Sequence, residues 1–140
     1  MPRHTVAEAA ARAGVAPHVV RYYARIGLLR PGRNPANGYR LFSDRDVARL
    51  RFVRKAQALG FSLAEIRQIL ADADKGRSPC PRVRAILGRR VDENRRRLEE
   101  LQALQRRMER ALAEWERMPD ALPTGDSVCH LIESADTPQG

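Results

Sequence analysis

Cysteine is nearly absent from this chain of 140 residues; the only two are Cys80 and Cys129. So sparse a pair does not read as the disulfide framework of a small secreted domain. Aromatic residues make up 5% of the sequence, with a single Trp, which argues against one wide globular core and for long, surface-rich helices. No run approaches the roughly 18 apolar residues of a membrane-spanning helix. The opening stretch "MPRHTVAEAA" also lacks the apolar centre of a secretory signal. These absences predict a cytoplasmic protein with no membrane partner, whose thiols stay reduced and serve as ligands, sensors or small buried residues. Lysine is scarce too, at Lys55 and Lys75 alone, so arginine carries the positive charge. Lys+Arg of 26 against Asp+Glu of 17 gives a net charge of +9, a balance that points to a polyanionic partner, nucleic acid ahead of a membrane surface. No nucleophile, base and orienting group cluster in the sequence, so an enzyme is not expected.

What is present is strong punctuation. Thr5-x-x-Glu8 has the form of a capping box and Gly14 of a stop, which predicts a first short helix. Pro17 suits the first turn of a second, which ends at Gly27. Two short helices joined by a tight turn containing Gly have helix-turn-helix spacing. Residues 28–42, "LLRPGRNPANGYRLF", hold Pro31, Gly32, Pro35 and Asn37-Gly38, which forbid helix and predict a small wing of two extended pieces. Ser43 opens a third helix with Val47, Leu50, Val53 and Ala56 inward, and Gly60 closes it. Ser62-x-x-Glu65 opens a fourth, with Leu63, Ile66, Ile69 and Leu70 inward. The four helices are expected to share one small core.

Beyond the break "ADKGRSPCP", no proline follows Pro81 until Pro119. Along residues 81–118, Val91, Asn94, Leu98, Leu101, Gln105, Met108, Leu112 and Trp115 step alternately by 3 and 4, the heptad pattern of a coiled coil. A lone helix cannot bury such a seam, so it predicts a homodimer. Asn94 and Gln105 on the seam fix register at some cost in stability. Arg89-Arg90, Arg95-Arg96-Arg97 and Arg106-Arg107 alternate with glutamates and read as solvated flanks. The expected division is a DNA-binding domain at 1–75, a dimerisation helix at 76–118 and a C-terminal effector loop and tail at 119–140, loose from 137 onward.

The second helix would enter the major groove of duplex DNA, its first residues near base edges. It exposes His18, Arg21, Tyr22 and Arg25, with Tyr23 divided between core and backbone contact. The wing offers Arg33, Asn37, Tyr39 and Arg40 to the neighbouring phosphates or minor groove. His4 and His18 are expected on the surface of this domain.

The same residues carry a resemblance. The "RYY" helix, "GLL", "GYR-F", the "D-V-RL-F" helix and "LGFSL-EI--IL" follow in one unbroken register over about half of the chain and resemble the DNA-binding domain of the MerR family of bacterial transcriptional regulators. The resemblance implies a mainly α fold: a winged helix-turn-helix domain followed by a long antiparallel coiled-coil dimerisation helix and a short C-terminal loop. It implies dimers on promoter DNA with an overlong spacer, which hold RNA polymerase unproductive and activate by bending and untwisting the spacer once inducer binds. Arg21, Tyr22, Tyr23, Tyr39 and Arg40 match the family's DNA contacts, and Lys55 is a further candidate. Ala16 and His18 stand where many members have Ser or Thr around the position of Pro17.

A helix over residues 81–118 is roughly 57 Å long, whereas the eleven steps from Met118 to Cys129 span at most roughly 40 Å. Cys129 therefore cannot return to Cys80 of its own chain. In the antiparallel dimer that the resemblance implies, Cys80 of one subunit and Cys129 of the other can meet. Cys80 precedes Pro81 at the helix start, where the helix dipole, Arg82 and Arg84 favour thiolate. Two thiolates suit Hg(II) or Cu(I), and His130 extends the set toward Zn(II) or Cd(II). "CHLI" at 129–132 resembles the tail of metal-sensing members. Those for mercury and zinc carry another cysteine near the end of the dimer helix, where this chain has Glu114-Trp115-Glu116. The expected inducer is thus a thiophilic ion among Hg, Cd, Zn and Cu(I). Two other readings use the same residues: a sensor of oxidants or electrophiles through a Cys80–Cys129 intersubunit pair, and a constitutive architectural DNA-binding protein.

Overall fold

In the computed structural model, which describes residues 3–136, three capping boxes set the helix starts. Helix α1 (Val6–Ala13) begins where Thr5 Oγ1 accepts the Glu8 amide and Glu8 Oε1 accepts the Thr5 amide, both at 3.2 Å. Helix α2 (Pro17–Arg25) has Ala16 at its cap with no side-chain bond, and relies on Pro17 in its first turn. Ser43 and Asp46 cap α3 (Asp44–Ala58), and Ser62 and Glu65 cap α4 (Leu63–Asp74). Gly14 ends α1 with φ of 70°, a left-handed cap that a residue with a Cβ resists.

The wing is a hairpin of β2 (Gly32–Arg33) and β3 (Arg40–Ser43), antiparallel, with Arg33 opposite Arg40. A strand not expected from sequence, β1 (Arg3–His4), pairs with the other edge of β3, so the sheet order is β1-β3-β2. That pairing overturns the surface reading of His4. His4 lies opposite Phe42, is 3% exposed, and its Nε2 is 2.7 Å from Asp44 Oδ1. His18 is exposed, as expected.

Val20, Leu29, Phe42, Leu50, Val53 and Ile66 are fully buried and form the centre of the core. Of the positions expected inward, Val47, Ala56 and Ile69 are also buried, while Leu63 and Leu70 are partly covered. The buried charged groups all find partners: among the described residues no buried side-chain N or O lacks one.

Helix α5 (Cys80–Trp115) runs for 36 residues. Val83, Ile86 and Leu87 at its start pack on the core, and the first compact unit accordingly extends through Leu87. In the second unit, Gly88–Gly140, the seam residues Val91, Leu98, Leu101, Met108 and Leu112 are 47–61% exposed in the single chain. Asn94, Gln105 and the arginine runs are exposed as well, apart from a half-buried Arg90. The helix stops at Trp115 and a turn closes it, Met118 N donating to Trp115 O. A final turn, α6 (His130–Glu133), follows an irregular segment. The loose end read at 137–140 lies outside the described residues. Among the described residues no helix is long and apolar enough to cross a membrane.

Replacing Leu50 by Ala is expected to cost about 2–5 kcal/mol, read as a lower urea midpoint of the full chain. The carboxyls of Asp72, Asp74 and Glu8 are held below the usual carboxylate range, chiefly by hydrogen bonds from Arg82, Arg49 and Thr5 respectively. A pKa lower in the folded than in the unfolded chain contributes stability that is present above the ordinary carboxylate range and is lost as pH falls through the folded value. Thermal melts from neutral to strongly acid pH should therefore show the gap between wild type and Asp72→Asn closing as pH drops. A gap of constant size would contradict that assignment.

Candidate nucleic-acid interface and metal-ligand positions

One groove gathers three of the arginines singled out from sequence. Its cavity of about 480 Å³ is lined by Arg21 from α2, by Arg33, Tyr39 and Arg40 from the wing, and by Thr5, Val6 and Ala7 at the start of α1. Tyr39 is 73% exposed. Arg33 Nη1 donates to Gly38 O at 2.9 Å, and Asn34 and Asn37 each accept a backbone amide two residues on, from Ala36 and Tyr39. These local bonds stiffen the wing tip, so Asn37 acts as a turn former as well as an exposed polar group.

Three guanidinium groups, a phenol and a helix start around one groove have the chemistry to receive an anion, although the capping box already places the Glu8 carboxylate in the first turn of α1. The α1 N-terminus is the part that sequence reasoning missed. The capping box marked it as a helix start, but only the β1–β3 pairing turns it toward the wing.

The outer face of α2 carries the remaining set. His18, Arg21 and Arg25 are exposed, Tyr22 is 40% exposed, and the Arg25 guanidinium sits 5.4 Å from the centre of the Tyr22 ring. That stacking restrains both side chains at the surface. Tyr23 takes the core half of its expected shared role. It is buried, its ring 5.7 Å from that of Tyr22, and its hydroxyl donates to Gln57 Oε1 at 2.9 Å. The ring is a core element joining α2 to α3. Lys55 is exposed on α3 and is not part of the groove.

The cysteines are both free thiols. Cys80 is exposed as the first residue of α5, and its amide donates to Ser78 Oγ at 3.3 Å. Cys129 is half-buried at the cap position of α6, with no capping bond from its side chain. His130 Nε2 lies 3.0 Å from Pro119 O. A carbonyl only accepts, so Nε2 carries the hydrogen and the neutral ring keeps its lone pair on Nδ1. Among the described residues of one chain, no three His, Cys, Asp or Glu side chains form a metal-sized group.

Residues 4–73 match the family described as MerR HTH family regulatory protein, and residues 47–111 match that described as MerR, DNA binding. The HTH-type transcriptional regulator HmrR of Rhizobium leguminosarum bv. viciae is 42% identical over 105 residues, covering 74% of this chain and 80% of the relative. Heavy metal-dependent transcription regulator 2 of Rhizobium meliloti (strain 1021) is 36% identical over 102 residues, 72% of this chain and 69% of that protein. The crystal structure of the transcription regulator PbrR691 from Ralstonia metallidurans CH34 in complex with lead(II) is similar, with a TM-score of 0.69 and 29% identity over 94% of this chain and 98% of that one.

If Arg40 grips a phosphate, Arg40→Ala should weaken binding about equally across operator sequence variants and lower the slope of log K against log salt by about 1. Fluorescence anisotropy with duplex DNA at several salt concentrations measures both quantities, and an unchanged slope would remove Arg40 from the interface.

Proposed function

The chain belongs to the MerR family of HTH regulatory proteins, and we propose that it acts as a homodimer on a promoter with an overlong spacer, repressing without inducer and activating when a thiophilic metal ion binds. The observation that carries the DNA side is the groove in which Arg21, Arg33, Tyr39 and Arg40 converge on the α1 N-terminus. Phosphate contacts there fix the domain on the duplex, and His18, Tyr22 and Arg25 on the outer face of α2 meet the major groove. Two such domains on one dimer supply the widely spaced grips that bending and untwisting require. RNA polymerase is then the partner that reads the altered spacer.

The half-exposed seam from Val91 to Leu112 supports a homodimer, since a second copy covers it. In an antiparallel pair, Cys80 of one subunit and Cys129 of the other form the ligand set. The residues fit such an ion: two free thiols, one at a helix start and one beside an imidazole with Nδ1 available. Holding His130 by the Pro119 carbonyl orients the ring, as the outer partners of metal-bound histidines do. A bound ion would crosslink the two subunits at each end of the dimer. A heavy metal-dependent relative and a lead(II)-bound neighbour support this reading over the oxidant-sensing one. The choice among Hg, Cd, Zn and Cu(I) belongs to experiment.

In vitro transcription from the chain's own promoter, with Hg(II), Cd(II), Zn(II), Pb(II) and Cu(I) in turn, should give activation by at least one ion. Cys80→Ser and Cys129→Ser should each abolish it while leaving operator binding intact. Activation by no ion, or a wild-type response from both variants, would end the metal-sensor reading.

A further inference from the structure

Arg82 sits in the wrong place for a lone cation. It is the third residue of α5, at the positive end of the helix dipole, and the first turn contains no acidic residue. Its counter-charge comes from another helix. Asp72, in the last turn of α4 and only 8% exposed, accepts Arg82 Nε at 2.7 Å on one oxygen and Nη2 at 3.4 Å on the other. Arg82 Nη1 also reaches Gln68 Oε1 at 3.4 Å. The connecting segment closes on the same residue: the Arg77 amide donates to the Asp72 carbonyl at 2.9 Å, and the Arg77 guanidinium lies 3.6 Å from the carboxylate. The end of α4, the 75–79 link and the start of α5 thus meet at one carboxylate.

Cys80 lies in that clamped turn, two residues before Arg82 and between Pro79 and Pro81. Prolines fix φ on both sides, so the local backbone has little freedom to absorb a shift of the thiol. We propose that Arg82 is a positioning residue for Cys80: its bond to Asp72 sets where the thiol is presented, and passes any displacement of that turn into α4 and the DNA-binding core. This rests on Cys80 being a ligand. Besides the apolar packing of Val83, Ile86 and Leu87 on the core, the forked pair is the polar tie that joins the first turn of α5 to the last turn of α4.

The test uses the full-length chain with Arg82→Gln, Arg82→Lys and Asp72→Asn, and Arg89→Gln as a control with the same charge loss on exposed α5. Three readouts are taken: operator affinity, the thiolate-to-metal absorption with Hg(II) and with Cd(II), and transcription with and without ion. Arg82→Gln and Asp72→Asn should keep operator affinity within about threefold, shift the metal absorption or weaken ion binding, and lower activation about tenfold or more. The double variant should do no worse than either single one, because both remove the same bond. Arg82→Lys should recover part of the activation, and Arg89→Gln should behave as wild type. Wild-type absorption and activation in both single variants would overturn the proposal, as would additive losses in the double. If Arg82→Gln does not fold, Arg82→Lys decides: full activation with an unchanged spectrum refutes the clamp, and partial loss supports it. Absence of a metal signal in the wild type would instead refute the ligand reading on which the proposal rests.

Discussion

Both ends of the wing hang on one buried carboxylate. Asp46 is 6% exposed and accepts the Ser43 amide at 3.0 Å, the Ser43 hydroxyl at 3.2 Å and the Arg30 amide at 3.4 Å. Arg30 leads into β2 and Ser43 ends β3, so the whole excursion between them is closed by a residue in the first turn of α3. The same carboxylate completes the α3 capping box. A side chain without an acceptor there would remove all three of these bonds and loosen the base of the hairpin. The positions of Arg33, Tyr39 and Arg40, and hence the groove itself, follow from it.

Among the arginines of the first 87 residues two groups stand out, which matters for a chain of charge +9. One works internally on helix ends. Arg51 Nε and Nη2 donate to Arg12 O at 3.1 and 2.9 Å, Arg54 Nη1 donates to Ala13 O at 3.3 Å, and Arg67 donates to Ile26 O. These satisfy carbonyls that helices leave open at their C-termini and complement the dipole there. Arg45 and Arg49 share Asp74, and Arg82 and Arg77 share Asp72. The other population, Arg21, Arg33 and Arg40 with Arg25 beside them, meets no carboxylate in the ion pairs of the described residues. Within the first 87 residues, charge for a polyanion therefore gathers on the face formed by α2 and the wing, while the exposed arginine runs of α5 stand apart from it, so net charge alone overstates the size of that surface.

Local chemistry made most of the fold legible. The boxes at Thr5, Ser43 and Ser62 and the stops at Gly14, Gly27 and Gly60 sit within a few residues of the ends they control, so pattern reading found them. Long-range pairing was not legible. Arg3–His4 is two residues long and has no alternation to display, yet its bond to β3 turns His4 inward and brings the α1 N-terminus to the groove. Tyr23 was only half legible for a related reason: spacing placed it between core and surface, but could not show that Gln57, 34 residues later, offers an acceptor for the hydroxyl. Arg82 shows the same limit. Read locally it belongs with Cys80, whereas in the fold its charge is committed to Asp72.

These bonds suit the proposed bending and untwisting of promoter DNA. Bending and untwisting a duplex costs free energy that the contacts have to supply, and a contact that yields transmits none of that strain. The hairpin base is tied at Asp46, its tip by Asn34, Asn37 and Arg33, and α2 to α3 through Tyr23 and Gln57. Arg51 and Arg54 fasten α1 to α3 across separations of 39 and 41 residues. These ties brace the DNA-binding domain internally, so under the proposed function a signal enters it through what joins it to α5. In the structure that joint is the 75–79 link, the Asp72 cluster and the packing of Val83, Ile86 and Leu87 on the core, and under the proposed function a switch of transcription acts through these contacts.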